Sequence, residues 1–344
     1  MDLKLSKKER KYKIAVIGGD GIGPEVIFET VRLLKATGLK FEFFEAEAGF
    51  SAYQKYSTPL PKKTIEICKK SDAILFGACT TPPFIKNYFS PIVKLRKIFD
   101  LYANLRPFFS LPIPNQKKNI DFIIIRENTE DLYVGKEIKT KEGAISQRVI
   151  TKRGCRRIVR FAFEFAKKKK RKKITFVHKA NILRLTDGLF LKIAKEISKK
   201  YKGIEFEEKL VDSCSYFLVK NPENFDVICT TNMFGDILSD TAAALVGGLG
   251  VCPSANIGKK YKLFEPVHGS APDLAGKGRA NPLGSFFSAV ICLEFLGEEK
   301  VAQKIKKAIF STLKRGIFTP DLGGKVKTKE FTDEVIKSLQ NDSR

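Results

Sequence analysis

Short apolar runs ending in polar clusters recur along the chain, with helical patterns between them. Lys13–Ile17 leads into GGDGIGPE, Ala73–Phe76 into GACTTPP, Asp121–Ile125 into RENTEDLYVG, Ile174–Val177 into HKAN, and Asp226–Cys229 into TTNMFGD. Runs of this length predict buried strands, and their alternation with amphipathic segments predicts an α/β sheet. Pro24 and Glu25 open a helix with Val26, Thr30, Leu33 and Leu34 inward and Gly38 beyond its end. Thr151 is the expected N-cap of a second helix, which buries Ile158, Phe161, Ala162 and Phe165. Thr186 or Asp187 opens a third, with Leu189, Phe190, Ile193 and Ile197 inward. Asp236–Val246 reads as a fourth, stopped by Gly247 and Gly248. Val134–Thr140 and Ala144–Ile150 flank a short Lys-Glu-Gly turn and read as a hairpin. An isolated hairpin is marginal in water, so this one is expected to pair with another surface, such as a second subunit. Ligands of open α/β sheets bind beyond strand carboxyl ends, so the five polar clusters are expected to form one site.

Length and composition narrow the class. A chain of 344 residues suggests about two domains. With 43% apolar and 29% charged residues it is neither disordered nor collagen-like. No run approaches the ~18 apolar residues of a membrane span. The charged start, Met1 to Lys13, passes straight into a strand and is not expected to be a secretory signal. Seven cysteines, none CxxC-spaced, read as reduced thiols in the cytoplasm, and two histidines leave little for a His/Cys zinc site.

The net charge of +25 admits a nucleic-acid partner or an enzyme for acidic substrates. Its densest run, Lys167–Lys173, reads as the solvated end of a helix. No RNP-type motif, zinc-finger spacing or basic zipper supports nucleic-acid binding.

The candidate chemistry is oxygen- and guanidinium-rich. The cluster at 18–24 follows a strand and opens a helix, but Pro24 breaks the G-x-G-x-x-G spacing and there is no P-loop. It reads as either a tight turn or a ligand loop. Asp236 and Asp240 lie one helical turn apart on one face, as solvated carboxylates or as ligands of a hard cation, Mg²⁺ or Mn²⁺. Arg96, Arg106 and Arg126 adjoin three apolar segments and suit a substrate with two or three carboxylates. Lys179 and Tyr133, just past strand ends, are candidate base and acid.

Together these strings resemble the β-decarboxylating dehydrogenases: isocitrate, homoisocitrate and 3-isopropylmalate dehydrogenases. The resemblance runs through IAVIGGDGIGPEV (14–26), LRKIFDLYANLRP (95–107), IRENTEDLYVG (125–135), VHKANILRLTDGLF (177–190), NMFGDILSD (232–240) and FEPVHGSAPDLAGKGRANP (264–282). It implies a bilobal α/β fold that binds dinucleotide without a Rossmann fingerprint. The implied large domain is 1–101 with 247–344, and the small domain 102–246 carries a dimerisation arm at about 134–150.

It also implies residue roles. Arg96, Arg106 and Arg126 would hold substrate carboxylates, Tyr133 would protonate the enol carbon, and Lys179 would help remove the hydroxyl proton. Asp236 and Asp240 would bind the metal, with Asp212 and Lys179 supplied across a homodimer, or a tetramer. The 264–282 loop, with His268, Gly269, Ser270, Ala271, Asp273, Leu274 and Asn281, would bind the cofactor. Asp273-Leu274 stand where NADP-preferring members place Lys and Tyr, so NAD is expected.

The implied reaction is oxidative decarboxylation of a 2-hydroxy acid bearing a β-carboxylate. Isocitrate going to 2-oxoglutarate is the first expectation, with homoisocitrate beside it. Ser90 falls where isocitrate enzymes meet the distal carboxylate. Ile92 replaces an expected asparagine, and Ile92-Val93 fall where isopropylmalate enzymes place apolar residues, so 3-isopropylmalate is the alternative. A catalytically silent regulatory subunit and a nucleic-acid-binding protein are the remote ones.

Overall fold

The computed structural model describes residues 10–83, 85, 88–114 and 116–341; residues 1–9 of the charged start lie outside them. The strands are β1 (Tyr12–Gly19), β2 (Phe41–Ala46), β3 (Ala73–Ala78), β4 (Ala103–Phe109), β5 (Asp121–Glu127), β6 (Glu137–Lys139), β7 (Ala144–Ser146), β8 (Lys173–His178), β9 (Glu205–Leu210), β10 (Val227–Thr230), β11 (Pro253–Ile257) and β12 (Lys262–Pro266). The helices are α1 (Gly23–Lys35), α2 (Phe50–Tyr56), α3 (Lys62–Lys70), α4 (Pro91–Ile98), α5 (Lys152–Lys168), α6 (Thr186–Ser198), α7 (Val211–Lys220), α8 (Asn232–Leu245), α9 (Leu283–Leu296), α10 (Glu299–Lys314) and α11 (Thr328–Asn341).

Ten strands form one sheet in the order β2-β1-β3-β12-β11-β4-β5-β10-β8-β9. β2, β1, β3 and β12 are parallel, β11 is antiparallel to both β12 and β4, and β4 is antiparallel to β5. β5, β10, β8 and β9 are again parallel to one another. Direction therefore reverses across the middle, and β5, β8 and β10 run opposite to β1 and β3. This corrects the expectation of one shared carboxyl edge. The polar clusters after β1 and β3 and those after β5, β8 and β10 leave from opposite ends of the sheet. β3 is buried along its whole length, which explains its unbroken apolar run.

The predicted helices are present, with instructive differences. α1 buries Val26, Thr30, Leu33 and Leu34. Thr151 caps α5 by accepting the Gly154 N–H at 3.0 Å. Val159 and Phe163 are fully buried in α5, whereas Phe161 and Phe165 are only half-buried. α8 begins at Asn232, four residues earlier than expected, because Thr231, not Asp236, is its N-cap. The hairpin forms, but its paired strands shrink to three residues each, all exposed, with Ile138 and Ile145 open to solvent.

Candidate active site

The site is built on a polar row that crosses one face of the mid-sheet. In β4, Asn104 and Arg106 alternate with Leu105 and Pro107, and in β11 Ser254 and Asn256 flank Ala255. Register pairs Asn104 with both Arg126 of β5 and Asn256 of β11, and Ser254 with Glu265 of β12. The period of two puts all six side chains on the same face. Burial demands partners for them, and they supply one another. Asn104 Nδ2 donates to Ser254 Oγ (2.7 Å) and Asn256 Oδ1 (2.9 Å), and Asn256 Nδ2 donates to Glu265 Oε1 (2.7 Å). Arg96, at the end of α4, donates to the same Glu265 oxygen at 2.9 Å, while its Nε is buried without a partner. Arg106 Nε donates to Asn104 Oδ1 at 2.7 Å.

The row delivers its charge to α8. Arg106 donates to Ser239 Oγ (2.6 Å) and Asp236 Oδ1 (3.3 Å), and lies 3.9 Å from Asp240. Arg126, 1% exposed, donates to Asn232 Oδ1 at 2.9 Å and to Asp236. Its guanidinium sits 4.9 Å from the Tyr133 ring centre, and the Tyr133 hydroxyl donates to Asp236. Tyr133 occupies a 3-10 turn, Leu132–Val134, whose cap is the Asp131 carboxylate accepting the Leu132 N–H at 3.0 Å. Close approach needs Gly235: a Cβ there would lie 2.6 Å from Arg126 Cγ.

Electrostatics follow from this crowding. Burial, then the like charge of Arg106, pushes the Arg126 guanidinium well down from its ordinary value, to about 10. Burial also lowers Arg106. For Asp236, burial pulls upward, but Arg126, Arg106 and the Tyr133 hydroxyl outweigh it and hold the carboxyl below its usual range. Burial raises both Tyr133 and Asp240. Arg96, Arg106 and Arg126 are balanced by Glu265, Asp236 and Asp240, so a cation at the two α8 carboxylates would free the guanidinium groups for a polycarboxylate.

Lys179 and Asp212 form a separate pair. The Lys179 ammonium contacts the Asp212 carboxylate, past β8 and at the start of α7. Among the described residues, no three His, Cys, Asp or Glu side chains gather closely enough to hold a metal. Within one chain, Asp212 does not join Asp236 and Asp240.

The residues of the 264–282 loop, expected to bind the cofactor, follow β12. His268 is buried, its Nδ1 lies 2.9 Å from the Gly269 carbonyl, its Nε2 has no partner, and burial lowers its pKa, so it is neutral. The Ser270 carbonyl accepts the Ile22 N–H at 2.8 Å, and its hydroxyl accepts from Thr80 at 2.8 Å. Gly19 and Gly21 take φ of 78° and 58°, and a Cβ on either would lie 1.9 Å from a carbonyl oxygen, of Ala78 or Ser270. The glycine cluster is thus at least a packing turn, seating the loop after β1 against the 264–282 loop. Ala271 is left-handed at φ 38°, and Asp273 and Leu274 are exposed on the turn that follows. Asn281 is occupied, donating to Asp321 (2.9 Å) and accepting the Leu283 N–H (3.0 Å). Ser90, half-buried, precedes α4.

Sequence reasoning missed Ser239 on α8 and, in the strands, Asn104, Ser254, Asn256 and Glu265. The available signal was alternation: polar residues every second position in strands otherwise apolar, too short to survive without the pairing. A cavity of about 890 Å³ opens on the opposite face, floored by Leu105, Pro107, Ile123 and Phe287. It includes none of the expected site residues.

A mid-sheet arginine cluster facing carboxylates one turn apart, beside a half-buried tyrosine, defines an enzyme for acidic substrates; comparison makes it a decarboxylating dehydrogenase, an oxidoreductase acting on a CH–OH group. The chain belongs to the isocitrate/isopropylmalate dehydrogenase family, whose model matches residues 13–335. It is 52% identical to homoisocitrate dehydrogenase of Methanocaldococcus jannaschii, over 95% of this chain and 98% of that one. It is 48% identical to isocitrate/homoisocitrate dehydrogenase of Thermus thermophilus, over 96% and 99%. It is equally 48% identical to 3-isopropylmalate/3-methylmalate dehydrogenase of M. jannaschii, over 96% and 100%. The crystal structure of isocitrate dehydrogenase from Methylococcus capsulatus superposes with a TM-score of 0.93 at 43% identity, covering 96% of this chain and 99% of that one. Among the described residues, no helix is long and apolar enough to cross a membrane.

Proposed function

We propose that this enzyme oxidatively decarboxylates a malate whose C3 carries a carboxyalkyl group, using NAD⁺ and Mg²⁺ or Mn²⁺. The supporting observation is the convergence of Arg96, Arg106 and Arg126 on Asp236 and Tyr133. Homoisocitrate takes first place over the isocitrate expected from sequence, because the 52% relative carries that name. Isocitrate stands beside it. A second reading, 3-isopropylmalate, is favoured by Val93, one turn before Arg96 on the same face of α4 and apolar where a distal carboxylate would need a donor.

In this reading the arginines clamp the two malate carboxylates. Asp236 and Asp240 would hold the metal, with Asp212 of a second copy completing the set, since among the described residues of one chain no third carboxylate joins them. When bound, the metal would supply Lewis-acid stabilisation of developing oxygen charge and NAD⁺ would supply the hydride acceptor. Lys179, also from the second copy, takes the hydroxyl proton. The Tyr133 hydroxyl, kept protonated by burial, delivers a proton to the carbon that loses CO₂. His268, through its unpartnered Nε2, and the turn bearing Asp273 and Leu274 receive the dinucleotide. The exposed hairpin is the dimer arm of the domain at 102–246, with the large domain at 1–101 and 247–344. Seven unpaired cysteines accord with the cytoplasm.

The test is a panel of homoisocitrate, isocitrate and 3-isopropylmalate with NAD⁺ and Mn²⁺, following NADH and CO₂. Homoisocitrate should give the highest kcat/KM. A 3-isopropylmalate preference moves the assignment to the second reading, and no turnover on any of the three refutes the class of substrate.

A further inference from the structure

Arg148 stands outside every role assigned so far, yet its guanidinium ties the site together. It follows β7 at the root of the hairpin, its side chain 12% exposed, where Asp131 and Val149 form an isolated bridge. Nε donates to Asp131 Oδ1 (2.5 Å), Nη1 to Asp187 Oδ1 (2.5 Å) and Nη2 to Thr231 Oγ1 (2.8 Å). Both carboxylates are fully buried, and the guanidinium also lies 4.7 Å from the Phe234 ring centre.

Each partner holds a different part of the proposed machinery. Asp131 caps the turn that carries Tyr133, and its Oδ2 accepts the Met233 N–H (3.0 Å) at the start of α8, the helix of Asp236 and Asp240. Thr231 is the N-cap residue of that helix. Asp187 Oδ2 accepts the Lys179 backbone N–H at 2.6 Å.

We propose that Arg148 is a positioning residue that fixes Tyr133, the α8 carboxylates and Lys179 in one register from the root of the arm. The proposal rests on the acid–base roles given to Tyr133 and Lys179. If Lys179 serves the second copy's site, Arg148 links the geometry of the two sites, because the same guanidinium holds this chain's own Tyr133. Substrate clamping depends on it less: Arg96 and Arg106 are held from the sheet by Glu265 and Asn104, although Arg106 and Arg126 also bond to α8.

The test compares Arg148→Gln, Arg148→Lys and Asp187→Asn in the full-length enzyme, reading kcat, KM and Tm. A misplacement of about 1 Å costs roughly 100-fold in rate, so kcat of Arg148→Gln should fall 10–100-fold with KM for the hydroxy acid within about threefold. Arg148→Lys, keeping one charge for the two carboxylates, should recover part of that loss, as should millimolar guanidinium added to Arg148→Gln. A kcat within twofold of the parent, a change confined to KM, or loss of the fold in all three variants overturns the proposal. Parent enzyme inactive on the whole substrate panel instead overturns the functional reading, so the two failures are distinct.

Discussion

Replacing Arg126 with methionine should cripple the enzyme while leaving the empty protein about as stable as before. Arg126 is 1% exposed, and burial with Arg106 nearby holds its guanidinium well down from its ordinary value, to about 10. At ~1.4 kcal/mol per pH unit, keeping it charged opposes folding by roughly 3 kcal/mol. The folded pKa is depressed, so by linkage the cost is fully present below about pH 10 and fades as pH rises from there toward the ordinary arginine value. Methionine removes that cost and fills similar volume. It also forfeits the bond to Asn232, worth about 1.5–3 kcal/mol for a charged donor, and since the Asp236 attraction is already contained in the depressed pKa, the two effects nearly cancel. Tm without ligand should move by no more than a few degrees. With substrate the balance changes. Two charge-assisted bonds to a carboxylate are lost outright, roughly 3–6 kcal/mol, or about 10²–10⁴-fold in kcat/KM. Thermal melts with and without substrate, beside steady-state kinetics, measure both. A fall in ligand-free Tm of ten degrees or more with KM unchanged would show Arg126 to be a structural ion-pair member and refute the reasoning.

Three further outcomes follow from the same geometry. Tyr133→Phe and Lys179→Met should each keep the fold and lose about 100-fold or more in kcat; mixing Lys179→Met with Asp236→Asn protomers should restore partial activity, and continued inactivity after proven subunit exchange would exclude shared sites. NAD⁺ should be preferred over NADP⁺ by kcat/KM, because the exposed Asp273 carboxylate acts at contact distance whereas surface lysines are screened over about 8–10 Å; Asp273→Lys with Leu274→Tyr should shift the preference toward NADP⁺. Gly21→Ala places a Cβ 1.9 Å from the Ser270 carbonyl at φ 58°, so it should lower stability by more than ~1 kcal/mol and weaken dinucleotide binding in calorimetry; a neutral melt would mean the two loops are free to separate.

The pattern of apolar and polar positions was enough for the alternation of strands and helices, for the buried face of α1 and for the cap at Thr151. Those features depend on local periodicity and on side chains satisfying nearby backbone groups, which a sequence carries directly. The six family-like strings likewise carried Arg96, Arg106, Arg126, Tyr133 and Asp236 to one site, and the structure brings these five side chains together. What periodicity leaves open is direction: an apolar run of five residues looks the same in a parallel or an antiparallel pair. Only non-local pairing set β11 against both β12 and β4, reversed the sheet at β4 and β5, and so parted the clusters that the sequence reading had joined. The same pairing assembled the buried row from Glu265 to Arg126, since Asn104, Ser254 and Asn256 are tolerable in a core only where partners from other strands meet them. Arg148 was silent for a related reason. On an exposed-looking hairpin one more arginine in a basic chain carries no signal until the fold sets two buried carboxylates from distant segments beside it.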